Sequence, residues 1–167
     1  RHLVNAGVEA MGLSGVDRGL LRGRQLAPDM EYTGTVSSVR GDLLLNLLEE
    51  GITPVIAPVC VGEESNFNVN ADTVAGAVAV AVDAQHTIFI SNVEGVLVDG
   101  QPVRELTIDQ ANRLIEDGTV FGGMIPKVNT ALDVLNAGVS RVTITNLNGL
   151  KSHGGTVFVK SAETIAS

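Results

Sequence analysis

The stretch from Asp72 to Val82 limits the fold more than any other. After Asp72 and Thr73 it holds only Val, Ala and Gly (Val74-Ala75-Gly76-Ala77-Val78-Ala79-Val80-Ala81-Val82). A helix that is apolar around its whole circumference has no face to give to water, so the sequence predicts a helix sandwiched in the interior. An earlier apolar run, Ile52-Thr53-Pro54-Val55-Ile56-Ala57-Pro58-Val59, reads as a buried strand and as the central one. Between the two lies Asn68-Val69-Asn70-Ala71-Asp72, rich in amide and carboxylate side chains. Polar groups that follow a strand and open a helix occupy the place where open α/β sheets bind ligands.

The same alternation continues in both directions. Residues 1–6 read as the end of a helix closed by Gly7, Val8–Leu13 as a strand, and Ser14-Gly15-Val16-Asp17 as a turn. Strands are expected at Leu20–Leu26 and Tyr32–Val39, then a helix capped by Asp42 and closed by Gly51. Residues 61–66 read as a polar loop or hairpin. A buried strand is expected over His86–Ser91. Thr107-Ile108-Asp109-Gln110 fits a capping box, and its helix ends at Gly118. Pro126 is expected at the first position of a further helix, which Gly138 ends; strands follow at Arg141–Thr145 and Gly155–Val159. Alternating strands and helices predict an α/β fold, a three-layer αβα sandwich with a mostly parallel central sheet. No linker or repeat divides the chain, so residues 1–167 read as a single domain.

Composition narrows the function. The chain is 44% hydrophobic but only 3% aromatic, so its core is aliphatic. A formal charge of −8 argues against a nucleic-acid surface, which needs clustered Lys and Arg. It leaves room for a nucleotide, which needs a lysine or two and some backbone N–H groups. The single cysteine, Cys60, forms no internal disulfide and reads as an inert packed thiol, fitting a reducing, cytoplasmic setting. No apolar run approaches the ~18 residues of a membrane span. The sequence contains neither a Gly-x-x-x-x-Gly-Lys-[Ser/Thr] phosphate loop nor a Gly-x-Gly-x-x-Gly turn, and its histidines are scattered, so no metal site is expected.

Two polar spots stand out. Asp72 at a helix start can simply complement the macrodipole. Asn70 can already cap that helix, however, and Asn68 adds a third polar group beside an apolar segment, so a ligand is the other reading. Lys127 falls in the first turn of its helix, where a cation opposes the macrodipole. Either the side chain reaches out to solvent, or an anion sits at this helix start. Gly122-Gly123 just before it would let bare backbone approach a phosphate. Ser91-Asn92-Val93-Glu94-Gly95 leaves a strand at its carboxyl end, as either a nucleotide contact or a plain loop.

Together, Gly12-Leu13-Ser14-Gly15-Val16-Asp17, Asn68-Val69-Asn70-Ala71-Asp72, Ser91-Asn92-Val93-Glu94-Gly95-Val96-Leu97 and Gly122-Gly123-Met124-Ile125-Pro126-Lys127-Val128 resemble the amino-acid kinase superfamily. Within it they resemble the acetylglutamate kinases, in the family's order and over nearly the whole chain. The resemblance implies transfer of a phosphoryl group from ATP, with Mg²⁺, to the side-chain carboxylate of N-acetyl-L-glutamate in arginine biosynthesis. By the same resemblance, Asn68 and Asn70 would bind the substrate and Lys127 would neutralise the transferring phosphoryl group. Asp72 would hold that lysine in place. Ser91, Asn92, Val93, Gly95, Val96 and Leu97 would line the nucleotide together with Phe121, Gly122, Gly123, Met124 and Lys127. Residues 1–84 would then form the substrate side and 85–167 the nucleotide side. A homo-oligomer, dimer or larger, is implied.

Two departures accompany the resemblance. The family usually has Asp where this chain has Asn92. Its amino-terminal Gly-rich strand and loop, with a phosphate-binding lysine, and its substrate-binding arginine have no counterpart after Arg1. The chain as given is therefore expected to be inactive by itself. The competing readings are an aminoadipate-type kinase of lysine biosynthesis and a non-catalytic nucleotide- or amino-acid-sensing module.

Overall fold

Apolar alternation, helix caps and punctuating glycines produce two compact units, 1–82 and 83 onward, in a computed structural model that describes residues 1–161. The first unit begins with helix α1 (His2–Asn5) and Gly7 at φ +80°, then strand β1 (Ala10–Ser14) and a 3-10 turn at Asp17–Gly19. Strands β2 (Leu21–Gln25) and β3 (Gly34–Val39) lead into helix α2 (Gly41–Glu49), closed by Gly51 at φ +76°. Strands β4 (Thr53–Ala57), β5 (Val59–Val61) and β6 (Asn66–Asn68) precede helix α3 (Ala71–Ala81). Its strands form two sheets, the parallel pair β1–β4 and the mixed sheet β3-β2-β5-β6.

Two apolar segments differ from the pattern their sequence predicts. The run Ile52–Val59 is not one central strand. It breaks at Pro58, which has no N–H to give a ladder. The parts on either side join different sheets, β4 pairing with β1 and β5 with β2 and β6. Nor is α3 enclosed on all sides. Val74, Gly76 and Ala79 are buried and the helix packs on β3, but Ala75 is exposed and Val80 is 39% exposed. Asp42 is not the cap of α2. Arg40 takes that position, and Asp42 in the first turn accepts two hydrogen bonds from its guanidinium. Leu20, Leu21, Leu44, Cys60, Val69 and Val74 form the core of this unit.

The second unit contains strands β7 (His86–Ile90), β8 (Leu97–Val98), β9 (Gln101–Pro102) and β10 (Glu105–Thr107), then helices α4 (Ile108–Glu116) and α5 (Met124–Asn136). Strand β11 (Arg141–Thr145), helix α6 (Leu147–Ser152) and strand β12 (Thr156–Val159) complete it. Its main sheet has the order β10-β12-β11-β7, and β8 and β9 form a separate hairpin. Strands β7 and β11 are parallel, β10 and β12 are parallel, and β11 and β12 are antiparallel, so the sheet is mixed.

The predicted capping box at Thr107 forms in full, with Gln110 N–H on Thr107 Oγ1 at 3.2 Å and Thr107 N–H on Gln110 Oε1 at 2.9 Å. Strand β7, expected to be buried, alternates instead: Thr87 and Phe89 are buried while Ile88 and Ile90 are 41% and 44% exposed. Helix α5 packs against β11 and β12 through Val128, Ala131, Leu132 and Leu135. Helix α6 lies on the opposite sheet face, where Gly149 abuts the Thr145 hydroxyl. Among the described residues, no helix is long and apolar enough to cross a membrane.

Candidate functional site

In the first unit the polar cluster grows out of the β5–β6 hairpin. Asn68 ends β6, paired with Val59, and its main-chain N–H donates to the Tyr32 carbonyl at 2.8 Å. Val69 is buried, and its N–H donates to the Pro58 carbonyl at 3.0 Å, which fixes where the chain turns into α3. Asn70 is the cap. Its Oδ1 accepts the N–H groups of Asp72 at 2.9 Å and Thr73 at 3.3 Å. Asp72 stands in the first turn of α3, half-buried, where its charge complements the macrodipole. The side chains of Asn68 and Asn70 are exposed, so the cluster is a rim open to solvent and not a set of buried polar groups.

In the second unit the carboxyl ends of β7 and β11 lie side by side. The parallel register pairs Ile90 with Thr145, and the Ser91 N–H donates to the Thr145 carbonyl at 2.7 Å. The chain then runs through Asn92 and Glu94, both exposed, into Gly95 and Val96, both buried. Ser91 Oγ donates to Asn92 Oδ1 at 3.3 Å. Val93 is half-buried, and Leu97 is exposed as it opens β8.

Helix α5 brings the glycine-rich stretch to the same end. It packs on β11 and ends at Asn136, a short connection before β11 starts at Arg141. Its 13 residues extend roughly 20 Å, enough to return along the whole strand. Its start therefore lies at the carboxyl ends of β7 and β11, with the Ser91–Leu97 segment. Gly123 is the cap, Gly122 has φ +57°, and a side chain on either would meet nothing within 4 Å, so bare backbone faces open space. Phe121 beside them is 75% exposed and Met124 is half-buried. Pro126 is not the first residue of α5 but the third, counting from Met124. Proline is tolerated there because the first four helical N–H groups have no partner within the helix. Lys127 remains in the opening turn, half-buried.

The model for the family described as "Amino acid kinase family" matches residues 1–146 of this chain. The chain belongs to that family. The α/β fold expected from the sequence is the amino-acid kinase fold. A solved structure, smu.665 from Streptococcus mutans UA159, superposes with a TM-score of 0.85 at 31% identity, covering 96% of this chain and 64% of that one. Among curated relatives, the acetylglutamate kinase of Roseiflexus sp. (strain RS-1) is 48% identical over 161 residues, 95% of this chain and 62% of the relative. The acetylglutamate kinase of Chloroflexus aurantiacus is 52% identical over 161 residues, 93% of this chain and 63% of its own length. This amino-acid kinase chain therefore spans less than two thirds of the relatives it matches.

Sequence reasoning missed what anchors these segments. Thr145 and Thr156 are buried at 1% and 0% exposure, with hydroxyls bonded to main-chain groups around the loops. Asn146, unassigned from the sequence, caps α6 by accepting the Gly149 N–H at 2.7 Å. Its Asn-x-x-Gly spacing was the available local signal. The threonines show their roles only when distant strands pair.

Proposed function

We propose that this chain is the larger part of an acetylglutamate kinase, which moves the γ-phosphoryl group of ATP to the side-chain carboxylate of N-acetyl-L-glutamate. The product is N-acetyl-L-glutamyl 5-phosphate, in the second step of arginine biosynthesis. The observation that carries this reading is identity of 48% and 52% to acetylglutamate kinases over nearly the whole chain. Its parts fall to the two units: 1–82 on the acceptor side, and the unit from Asp83 on the nucleotide side of one amino-acid kinase domain.

The chemistry suits the residues. A carboxylate oxygen of acetylglutamate bonds to the γ-phosphorus as the bond to the β,γ-bridging oxygen breaks, and ADP leaves. The acceptor is already ionised at neutral pH, so no general base is required. Phosphoryl transfer then depends on position and charge stabilisation. Lys127 meets the negative charge that builds on the leaving oxygen, and Asp72 serves as a positioning carboxylate. The exposed amides of Asn68 and Asn70 bind the acceptor. The open backbone at Gly122 and Gly123, together with Phe121, Met124 and the Ser91–Leu97 segment, holds the nucleotide. Among the described residues no three His, Cys, Asp or Glu side chains gather as a metal cage. In this reading Mg²⁺ accompanies the ATP, where it would supply charge neutralisation of the phosphates. The reading includes a cytoplasmic homo-oligomer.

The test is ATP-dependent acyl phosphate formation by the intact protein, trapped as a hydroxamate. Product is expected with N-acetyl-L-glutamate. Its absence, or turnover only with an aminoadipate acceptor, overturns the assignment.

A further inference from the structure

The Ser91–Leu97 segment forms no regular element before β8, yet it is pinned at both ends. At the start, Ser91 N–H reaches the Thr145 carbonyl at 2.7 Å. At the far end, Val96 N–H donates to Thr156 Oγ1 at 2.8 Å, and that hydroxyl donates onward to the Val103 carbonyl at 2.6 Å. Val103 N–H closes the circuit by donating to the Val96 carbonyl at 2.9 Å. One hydroxyl at the start of β12 thus ties down both arms of the β8–β9 hairpin. The fit is close: a Cβ added to Gly95 would stand 2.5 Å from Thr156 Oγ1 and 2.9 Å from the Thr156 main-chain nitrogen. Val96 is 1% exposed and Thr156 is fully buried, so water has no access to replace the bond. Without the hydroxyl, a buried N–H loses its partner and a part-buried carbonyl loses its donor, and the segment must move to satisfy the N–H.

We infer that Thr156 is a positioning residue for nucleotide binding, its hydroxyl setting how deeply Gly95 and Val96 seat and hence where Ser91–Val93 present themselves. This rests on the reading of Ser91–Leu97 as a nucleotide-lining segment. Thr156 touches neither substrate. Its effect passes through the main chain of Val96 and Val103.

The experiment compares Thr156→Val with Thr156→Ser in the intact protein. Valine keeps the shape and removes both hydrogen bonds; serine keeps both. The valine variant is expected to raise KM for ATP on the order of tenfold while KM for acetylglutamate stays within about twofold. It should also speed hydrogen exchange at the Val96 amide, and the serine variant should restore both measurements. Wild-type KM for ATP and wild-type exchange in the valine variant would overturn the inference, as would equal defects in the two variants. If the valine protein does not fold, Thr156→Ala removes the same two hydrogen bonds with a smaller side chain. An ATP-selective rise in KM supports the inference there, and an unchanged KM rejects it. Wild-type protein without ATP-dependent turnover would reject the kinase assignment alone, because Val96 exchange still decides what the Thr156 hydroxyl does.

Discussion

His86 Nε2 stands 2.8 Å from the hydroxyl of Thr143, joining β7 to β11 on the sheet face opposite α5. Partial burial, and then the neighbouring Arg141 guanidinium, hold the His86 imidazole below its ordinary value of 6.5. The folded state therefore favours neutral His86, and the unfolded chain takes up the proton first on acidification. This contribution to stability is present above pH 6.5 and is lost as pH falls through the lower folded value. An NMR titration should place the His86 midpoint below 6.5, and thermal melts should show a smaller acid-induced loss in His86→Gln than in wild type. A midpoint at or above 6.5 would contradict the packing described.

Lys127 provides the sharpest test of the chemistry. Its alanine variant is expected to lower kcat by about 10²–10³, the scale of losing one electrostatic donor to a transition state, with a smaller change in KM for acetylglutamate. Steady-state kinetics on the intact protein, wild type beside variant, measures this directly. A raised KM with kcat unchanged would instead assign Lys127 to ground-state binding.

Gly41 opens α2 directly against the end of α3. A Cβ there would come 2.2 Å from the Ala81 carbonyl oxygen, a backbone atom that cannot rotate away. Gly41→Ala should cost about 1–3 kcal/mol, the range for overpacking. Gly51→Ala, at φ +76° with nothing nearby, should cost roughly 1–2 kcal/mol through its left-handed backbone alone. Urea denaturation of the two variants separates crowding from conformational strain.

Cys60 lies in the middle of β5 and is fully buried, with its Cβ against Gly23. Burial pushes its thiol above the usual range, which suppresses the reactive thiolate. A thiol reagent at neutral pH should leave Cys60 unmodified in the native protein and react fully after denaturation.

How far the sequence reveals the fold depends on the range of the forces involved. The Thr107 capping box and the helix ends at Gly7, Gly51, Gly118 and Gly138 are local, set by bonds and dihedrals within a few residues. All were legible. Pro126 was misplaced by two positions because proline suits any of the first helical positions. The apolar runs were recognised as elements, but their exposure was not. Hydrophobic content shows that a segment can be buried, and only its neighbours determine which face is.

The site divides in the same way. Sequence by itself determined the family motifs, the caps at Asn70 and Thr107, and the position of Lys127 at a helix start, since each depends on spacing along one segment. Tertiary structure alone decided that the runs on either side of Pro58 enter different sheets and that β12 lies antiparallel to β11 yet parallel to β10. It also decided that the Thr156 hydroxyl holds Val96, 60 residues away. The reason is physical: strand pairing and buried hydrogen bonds join groups far apart in the chain, and a polar group's partner is chosen only when the core closes around it.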